Sequence, residues 1–329
     1  MEAVKEERIV QVQDLHSKDV MNRVICNIET VIVGKHEAVT LTVLALVSGG
    51  HVLVEDVPGV GKTSLVSALS KSVSCKFKRI QFTPDIMPSD ITGFSIYNQK
   101  TGEFEFRPGA AMSNFVLADE INRASAKTQA ALLEIMEEHQ VTVDSNTYVL
   151  DEPFMVLATQ NPIEYMGTYP LPEAQIDRFL MKITLGYPTV EEEVAVLDIR
   201  PKDKKELAPV ATGEDIVAVA EAVDNVRVDP LLKKYIVEIV NATRTHPDVE
   251  LGSSPRGSLA LQHIARAYAL YQGRDFVIPD DIKRMSPHVL PHRLILNHDA
   301  KVSKRSGADI IAEILRKITV PVLPSDHAE

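Results

Sequence analysis

Three apolar residues, Val52-Leu53-Val54, lead through Glu55-Asp56-Val57-Pro58-Gly59-Val60-Gly61 into Lys62-Thr63-Ser64. An apolar run stopped by proline and glycine reads as a buried strand, and the polar residues after Gly61 read as the start of a helix. A strand joined to a helix by so short a glycine turn constrains the fold to an α/β layer with helices packed on a sheet. Gly59 and Gly61 let successive N–H groups point inward at one anion, and the helix adds its positive dipole end at the same place. Lys62 is placed for the β and γ phosphates of a nucleotide, and Thr63 offers a hydroxyl to a magnesium ion. Pro58, Val60 and Ser64 complete the predicted loop. The general pattern G-x-x-x-x-G-K-S/T is broken at one position, because Asp56 stands where its first glycine belongs. Taken alone, the stretch also fits a solvated glycine turn that caps a helix.

A second segment narrows the chemistry. Phe115-Val116-Leu117-Ala118 runs directly into Asp119-Glu120, as expected of a buried parallel strand whose C-terminal end opens on a ligand crevice. Asp119 would hold magnesium and Glu120 would orient and polarise an attacking water. A small-molecule kinase brings its nucleophile on the substrate, so the second acid favours ATP hydrolysis over phosphoryl transfer. Two acids after a strand also suit an ordinary helix N-terminus.

The surrounding pattern predicts a five-stranded parallel sheet with helices on both faces. Its strands are expected at Val52–Val54, Phe77–Phe82, Phe115–Ala118, Phe154–Thr159 and Met181–Leu185, with a helix from Thr128 to His139. Two hairpins interrupt it: Phe94–Tyr97 with Glu103–Phe106, and Val141–Val143 with Thr147–Val149. They are read either as projecting contact arms or as ordinary hairpins packed on the same domain. Beyond Pro188 helical periodicity takes over, with Ile216, Val219, Ala220 and Val223, then Leu232, Tyr235, Ile236 and Ile239, then Ile311, Ile314, Leu315 and Ile318. Asp229-Pro230 and Ser254-Pro255 are cap-and-proline helix starts. The expected division is an N-terminal extension over 1–20, the α/β domain over 21–187, a linker over 188–209 and an all-α domain over 210–329.

Charge and composition exclude several classes. The net charge of −11 comes without a sustained basic run, so nucleic acid is not the expected partner. The short patches Lys202–Lys205 and Lys301–Arg305 read as solvated loops. The longest nearly apolar stretch, Leu41–Val54, is broken by Ser48-Gly49-Gly50-His51 and is too short for a membrane span. Glu2, Lys5, Glu6, Glu7 and Arg8 occupy the place of a signal-peptide core, so a cytoplasmic location is expected. Cys26 and Cys75 form no C-x-x-C pair and are expected as small core residues. His288, His292 and His298 carry no accompanying metal-ligand pattern and read as polar helix surface.

These residues together resemble the AAA+ ATPases and, more narrowly, the MoxR family. The resemblance rests on Val31-Ile32-Val33-Gly34, Asp56–Thr63, Leu117-Ala118-Asp119-Glu120-Ile121-Asn122-Arg123-Ala124, Ala158-Thr159-Gln160-Asn161-Pro162, Leu171–Phe179 and Ser254-Pro255-Arg256, in the family's order over nearly the whole chain. It implies that Asn161 is the sensor-1 residue and that Arg178 is an arginine finger donated to a neighbouring subunit. Arg256 would be sensor 2, with Val33 and Gly34 lining the adenine pocket. Asn before proline is equally a turn former, and Arg178 is equally a partner for Asp177 or Glu173. Arg256 in the first turn of a helix opposes the dipole there, which suits a residue that meets an external anion. Arg123 faces either a neighbouring subunit or a pore. The resemblance further implies ATP and Mg2+, a homo-oligomeric ring of hexamer type, and a client protein, as with partners carrying von Willebrand factor A domains. Remodelling, activation, assembly or metal-cofactor insertion is the implied work. A magnesium-chelatase-like motor subunit, a DNA-acting AAA+ ATPase and a non-hydrolysing nucleotide sensor remain as alternatives.

Overall fold

The computed structural model describes residues 2–56, 59–160, 169–198 and 207–322. Two compact units are present: Val20–Val219, and Met1–Asp19 together with Ala220–Glu329. The chain begins with α1 (Glu2–Glu29), α2 (His36–Val47), β1 (Val52–Glu55), α3 (Lys62–Ser72), β2 (Phe77–Gln81) and α4 (Pro88–Thr92). It continues through β3 (Gly93–Asn98), β4 (Glu103–Pro108), β5 (Phe115–Asp119), α5 (Ala126–Glu138), β6 (Gln140–Val143) and β7 (Asn146–Val149). Next come β8 (Met155–Gln160), α6 (Glu173–Ile176), β9 (Met181–Ile183) and α7 (Val190–Asp198).

The predicted parallel sheet is present, with strand order β2-β5-β8-β1-β9. Its inner strands β1, β5 and β8 are buried almost throughout, which is why they read as unbroken apolar runs. At the edge, β2 exposes Lys78, Arg79 and Gln81, since an edge strand has only one neighbour to satisfy. Parallel pairing brings Gln81 level with Asp119, and Glu55 level with Gln160, so β1, β2, β5 and β8 end together on one rim. The core under this sheet gathers Leu53, Val116, Ala118, Val156 and Ala158 with Leu132, Leu133 and Met136 of α5.

His51, just before β1, is buried and bridges elements: its Nδ1 accepts from Val156 N–H at 3.1 Å, and its Nε2 lies 2.9 Å from the Met136 carbonyl. Those partners require a neutral ring with the proton on Nε2. Burial lowers its pKa to about 4, against a rise from the Met136 hydrogen bond and helped by the neighbouring His139 ring.

Both predicted hairpins form, β3 with β4 and β6 with β7, each antiparallel. They pack on one another, since the Phe106 and Tyr148 rings stack at 4.0 Å between centroids. The segment Leu207–Ala211 is bound into the α/β unit: Val210 and Ala211 N–H donate to the Ser72 carbonyl, and Asn27 Nδ2 donates to the Ala208 carbonyl.

The second unit carries α8 (Gly213–Asn225) in part, α9 (Pro230–Arg244), α10 (Pro255–Tyr271), α11 (Pro279–Val289), α12 (His298–Val302) and α13 (Gly307–Lys317). Asp229 and Ser254 cap α9 and α10 as the sequence implies, accepting from Leu231 N–H at 2.7 Å and Arg256 N–H at 3.0 Å. Against the expectation of helices alone, β10 (Val249–Leu251) and β11 (Ile295–Leu296) form a small antiparallel ribbon. Both strands are too short to show an alternating pattern. Arg305 is not a loosely solvated basic residue but pairs with Asp248 and Glu313, and Lys317 also holds Glu313, whose pKa the two cations lower to about 2.

Cys26 corrects the expectation of two core thiols. The buried stripe of α1 runs through Val20, Met21, Val24, Ile25 and Ile28, and Cys26 falls off it and is exposed. Cys75 is half-buried, and burial raises its pKa. Among the described residues no helix is long and apolar enough to cross a membrane.

Candidate nucleotide site

Gly59 and Gly61 have φ +90° and +95°, and a Cβ on either would meet no atom within 4 Å. Glycine is therefore required here by conformation, and no steric contact demands it. Gly61 is the N-cap of α3, so the amide groups of Lys62 and Thr63 open the helix at its positive end. Lys62 Nζ donates to the Asp56 carbonyl at 2.9 Å. Val60, Lys62 and Thr63 are half-buried, and Ser64 is exposed. Pro58 lies outside the described residues.

Asp56 is more than a tolerated change of pattern. Its carboxylate is buried and accepts from the backbone N–H groups of Leu185 and Gly186, the latter at 3.2 Å. Glycine at this position could not make those bonds.

On the neighbouring strands, Asp119 and Glu120 sit in a closed ring of hydrogen bonds. Thr159 of β8, fully buried, donates its hydroxyl to Asp119 at 2.7 Å and accepts from Glu120 N–H at 2.8 Å. Arg79 donates to Asp119 Oδ2 through Nε at 3.2 Å and Nη2 at 2.6 Å, and also to Gln81 Oε1 at 2.8 Å. Gln81 Nε2 donates to Glu120 Oε2 at 2.6 Å, and Arg123 pairs with the same oxygen at 3.1 Å. Glu120 has φ +56°, a left-handed conformation that costs a non-glycine residue about 1–2 kcal/mol. This sharp exit from β5 starts a 3-10 turn over Ile121–Arg123. The turn is braced by buried Gln129, whose Nε2 donates to the carbonyls of Ile121, Ala124 and Tyr169.

Arg79, Gln81, Thr159 and Gln129 are site residues that the sequence reading passed over. A signal existed for the first two: three polar residues among the five of Phe77-Lys78-Arg79-Ile80-Gln81 set this strand apart from the unbroken apolar runs of the inner strands. Thr159 and Gln129 gave none, since a threonine near the end of an apolar strand and a glutamine among the polar residues that open a helix are ordinary at those places.

The other predicted residues fall as follows. Arg178 pairs with Glu137 of α5 at 2.9 Å, a partner different from Asp177 and Glu173. Asn161 lies outside the described residues. Val33 is half-buried and Gly34 is exposed with φ +73°. A Cβ on Gly34 would come within 1.9 Å of Glu192 Cδ. Lys35, next in the chain, donates to the Tyr187 carbonyl at 2.9 Å. Arg256 belongs to the helical unit, exposed in the first turn of α10. The hard-oxygen donors suited to magnesium are the Thr63 hydroxyl and the Asp119 carboxylate. A cation already lies against Asp119 in the form of the Arg79 guanidinium, so that carboxylate accepts positive charge where it stands.

A glycine loop between β1 and α3, with paired acids at the end of a parallel strand two places away and a helical unit following in sequence, defines an AAA+ nucleotide-binding protein. Comparison with known proteins agrees. Residues 51–181 match the family described as "ATPase family associated with various cellular activities (AAA)", and residues 241–314 match the AAA lid domain. The chain is 44% identical to the chaperone MoxR1 of Mycobacterium tuberculosis over 92% of this chain and 82% of that protein. It is 55% identical to the YeaC protein of Bacillus subtilis, over 94% of this chain and 97% of that one. A crystal structure of a candidate ATPase from Cytophaga hutchinsonii superposes with a TM-score of 0.89 at 41% identity, covering 96% of this chain and 99% of the other. The chain belongs to the MoxR family of AAA+ ATPases.

Proposed function

We propose that this protein hydrolyses ATP to ADP and phosphate, and that it does so as a homo-oligomeric ring, a hexamer, whose cycle remodels, activates or assembles a client protein. The observation that carries the reading is the Asp119–Glu120 pair, held by Thr159 and Gln81 on the same rim as the glycine loop. In this proposal Lys62 and the amides of Gly59–Ser64 bind the phosphates, Val33 and Gly34 border the base, and Glu120 takes a proton from the attacking water. Thr63 and Asp119 would hold Mg2+, which when bound neutralises charge between the β and γ phosphates. Asn161 would orient the water, Arg256 would meet a phosphate, and Arg178 would leave Glu137 to act on the neighbouring subunit's nucleotide.

The β3–β4 hairpin supports the assignment of a client-facing arm. Phe94, Ile96, Tyr97 and Phe104 are all exposed on it, with Phe104 at 74%. So much apolar surface on a two-stranded arm is costly unless something covers it. A partner containing a von Willebrand factor A domain and a role in metal-cofactor insertion are finer readings that rest on the family alone.

Phosphate release tests the enzymatic part. Lys62→Ala and Glu120→Gln should each reduce turnover by about 10²-fold or more, with Glu120→Gln still binding ATP. Turnover at the wild-type rate in both variants would refute the assignment. Mixing Arg178→Ala with Lys62→Ala subunits should restore part of the activity if Arg178 acts across an interface, and no recovery would count against that role. Mass photometry with ATP checks the ring.

A further inference from the structure

We propose that Asp56 is a positioning residue that couples occupancy of the phosphate loop to the chain segment Leu185–Thr189 at the end of β9. The proposal rests on the reading of that loop as a nucleotide site. Asp56 reaches three directions at once. Its N–H continues the β1–β8 ladder to the Gln160 carbonyl at 3.3 Å, its carbonyl accepts from Lys62 Nζ at 2.9 Å, and its carboxylate accepts from Leu185 and Gly186 N–H.

The third contact replaces a missing strand. The β1–β9 pairing stops at Val54 with Ile183, and β9 is an edge strand with no further neighbour. Past Ile183 the amides of Leu185 and Gly186 need acceptors, and Leu185 is buried. One carboxylate supplies them, extending the sheet edge with charge-assisted bonds. Gly186, at φ +65°, then turns the chain. The segment so fixed is also tied to the region of Val33 and Gly34: Lys35 donates to the Tyr187 carbonyl, and Thr189 and Glu192 cap α7 reciprocally at 2.9 and 3.2 Å.

Lys62 is the lever. Its ammonium carries three donors, so one can stay on the Asp56 carbonyl while the others turn to a phosphate, and a phosphate so held fixes the Asp56 peptide through the lysine. Asp56 then samples fewer positions, and its bonds to Leu185 and Gly186 open less often. The loop's occupancy is thereby read out at the far edge of the sheet. A glycine at this position leaves the two amides without the carboxylate.

Amide exchange of the full-length protein, with binding of Mg·ADP measured separately by calorimetry, tests this. In the wild type, saturating Mg·ADP should slow exchange at Leu185 and Gly186 by about threefold or more. Asp56→Ala should bind Mg·ADP within about tenfold of the wild-type affinity yet lose the slowing at those amides. Asp56→Asn keeps one carbonyl oxygen and should retain part of it, and it decides the matter if Asp56→Ala fails to fold. Slowing of wild-type size in Asp56→Ala, or in Asp56→Asn where Asp56→Ala does not fold, or no change at these amides in a wild type that binds Mg·ADP, overturns the proposal. Failure of the wild type to bind Mg·ADP at all would instead show in the calorimetry and bring down the nucleotide reading together with this one.

Discussion

His51 gives the structure a measurable dependence on pH. The ring is buried, accepts Val156 N–H on Nδ1 and faces the Met136 carbonyl with Nε2, so a second proton has to break a bond or bury a charge. Its pKa is lowered from 6.5 to about 4, chiefly by burial. Because the folded value lies below the unfolded one, the unfolded chain binds the proton first. The stability contributed by neutral His51 is complete above pH 6.5 and is lost as pH falls from there toward 4. The full displacement corresponds to about 3 kcal/mol, of which about 2 kcal/mol is gone by pH 5. Against a typical stability of 5–15 kcal/mol this is a large share. His51→Gln separates the effect from every other titrating group, since an amide can accept from Val156 and donate to Met136 without titrating. Urea unfolding followed by circular dichroism suits a chain with no tryptophan. Between pH 7.5 and 5 the wild type should lose about 2 kcal/mol more than His51→Gln. Curves that stay parallel to within about 0.5 kcal/mol would refute the account of a neutral, doubly bonded ring.

Three further outcomes follow from contacts in the structure. Arg79 competes for the carboxylate assigned to magnesium, so Arg79→Gln should lower the magnesium concentration needed for half-maximal Mg·ADP binding by about 3- to 10-fold, read by calorimetry; a higher requirement would refute the competition. Thr159→Val keeps the shape and removes the hydroxyl that joins Asp119 to Glu120 N–H; stability should fall by about 1–3 kcal/mol, and kcat should fall while nucleotide affinity holds. Asp281 in α11 is buried and takes two bonds from Arg274 at 2.8 and 2.6 Å plus one from Ile278 N–H at 2.8 Å. Asp281→Ala should cost about 3–5 kcal/mol in the unfolding of the helical unit, because it strands a cation as well as removing an acceptor.

The sheet was readable because its strands obey a simple rule. Inner parallel strands are covered on both faces, so Val52–Val54, Phe115–Ala118 and Met155–Ala158 appear as apolar runs with no alternation to confuse them. The hairpins showed the opposite signature, alternation around short polar turns. The helical unit was readable through its buried stripes, as at Leu232, Tyr235, Ile236 and Ile239 of α9. What escaped was the β10–β11 ribbon, where three residues pair with two across a register shift and no local pattern precedes it. Cys26 escaped for a related reason. A stripe two residues wide on a helix leaves its neighbours outside, and the position of the stripe is set by the partner surface, not by the helix.

The site divided along the same line between what is local and what is not. Gly59, Gly61, Lys62 and Thr63 act through their own backbone and side chains, so their residue types announce their chemistry. Asp56 does not, because its meaning lies in two amides far along the chain that only the end of β9 brings within reach. Arg79 and Gln81 follow the same logic. An exposed arginine on an edge strand carries no message until parallel register sets Gln81 beside Asp119 and directs both side chains to the acids. The consequence for the mechanism is that Glu120 stands already engaged, by Gln81 and by Arg123 on one oxygen. In the proposed role Glu120 would have to turn this oxygen to a water, and the closed ring through Arg79, Asp119 and Thr159 means that a cation arriving at Asp119 would disturb the same network that holds Glu120.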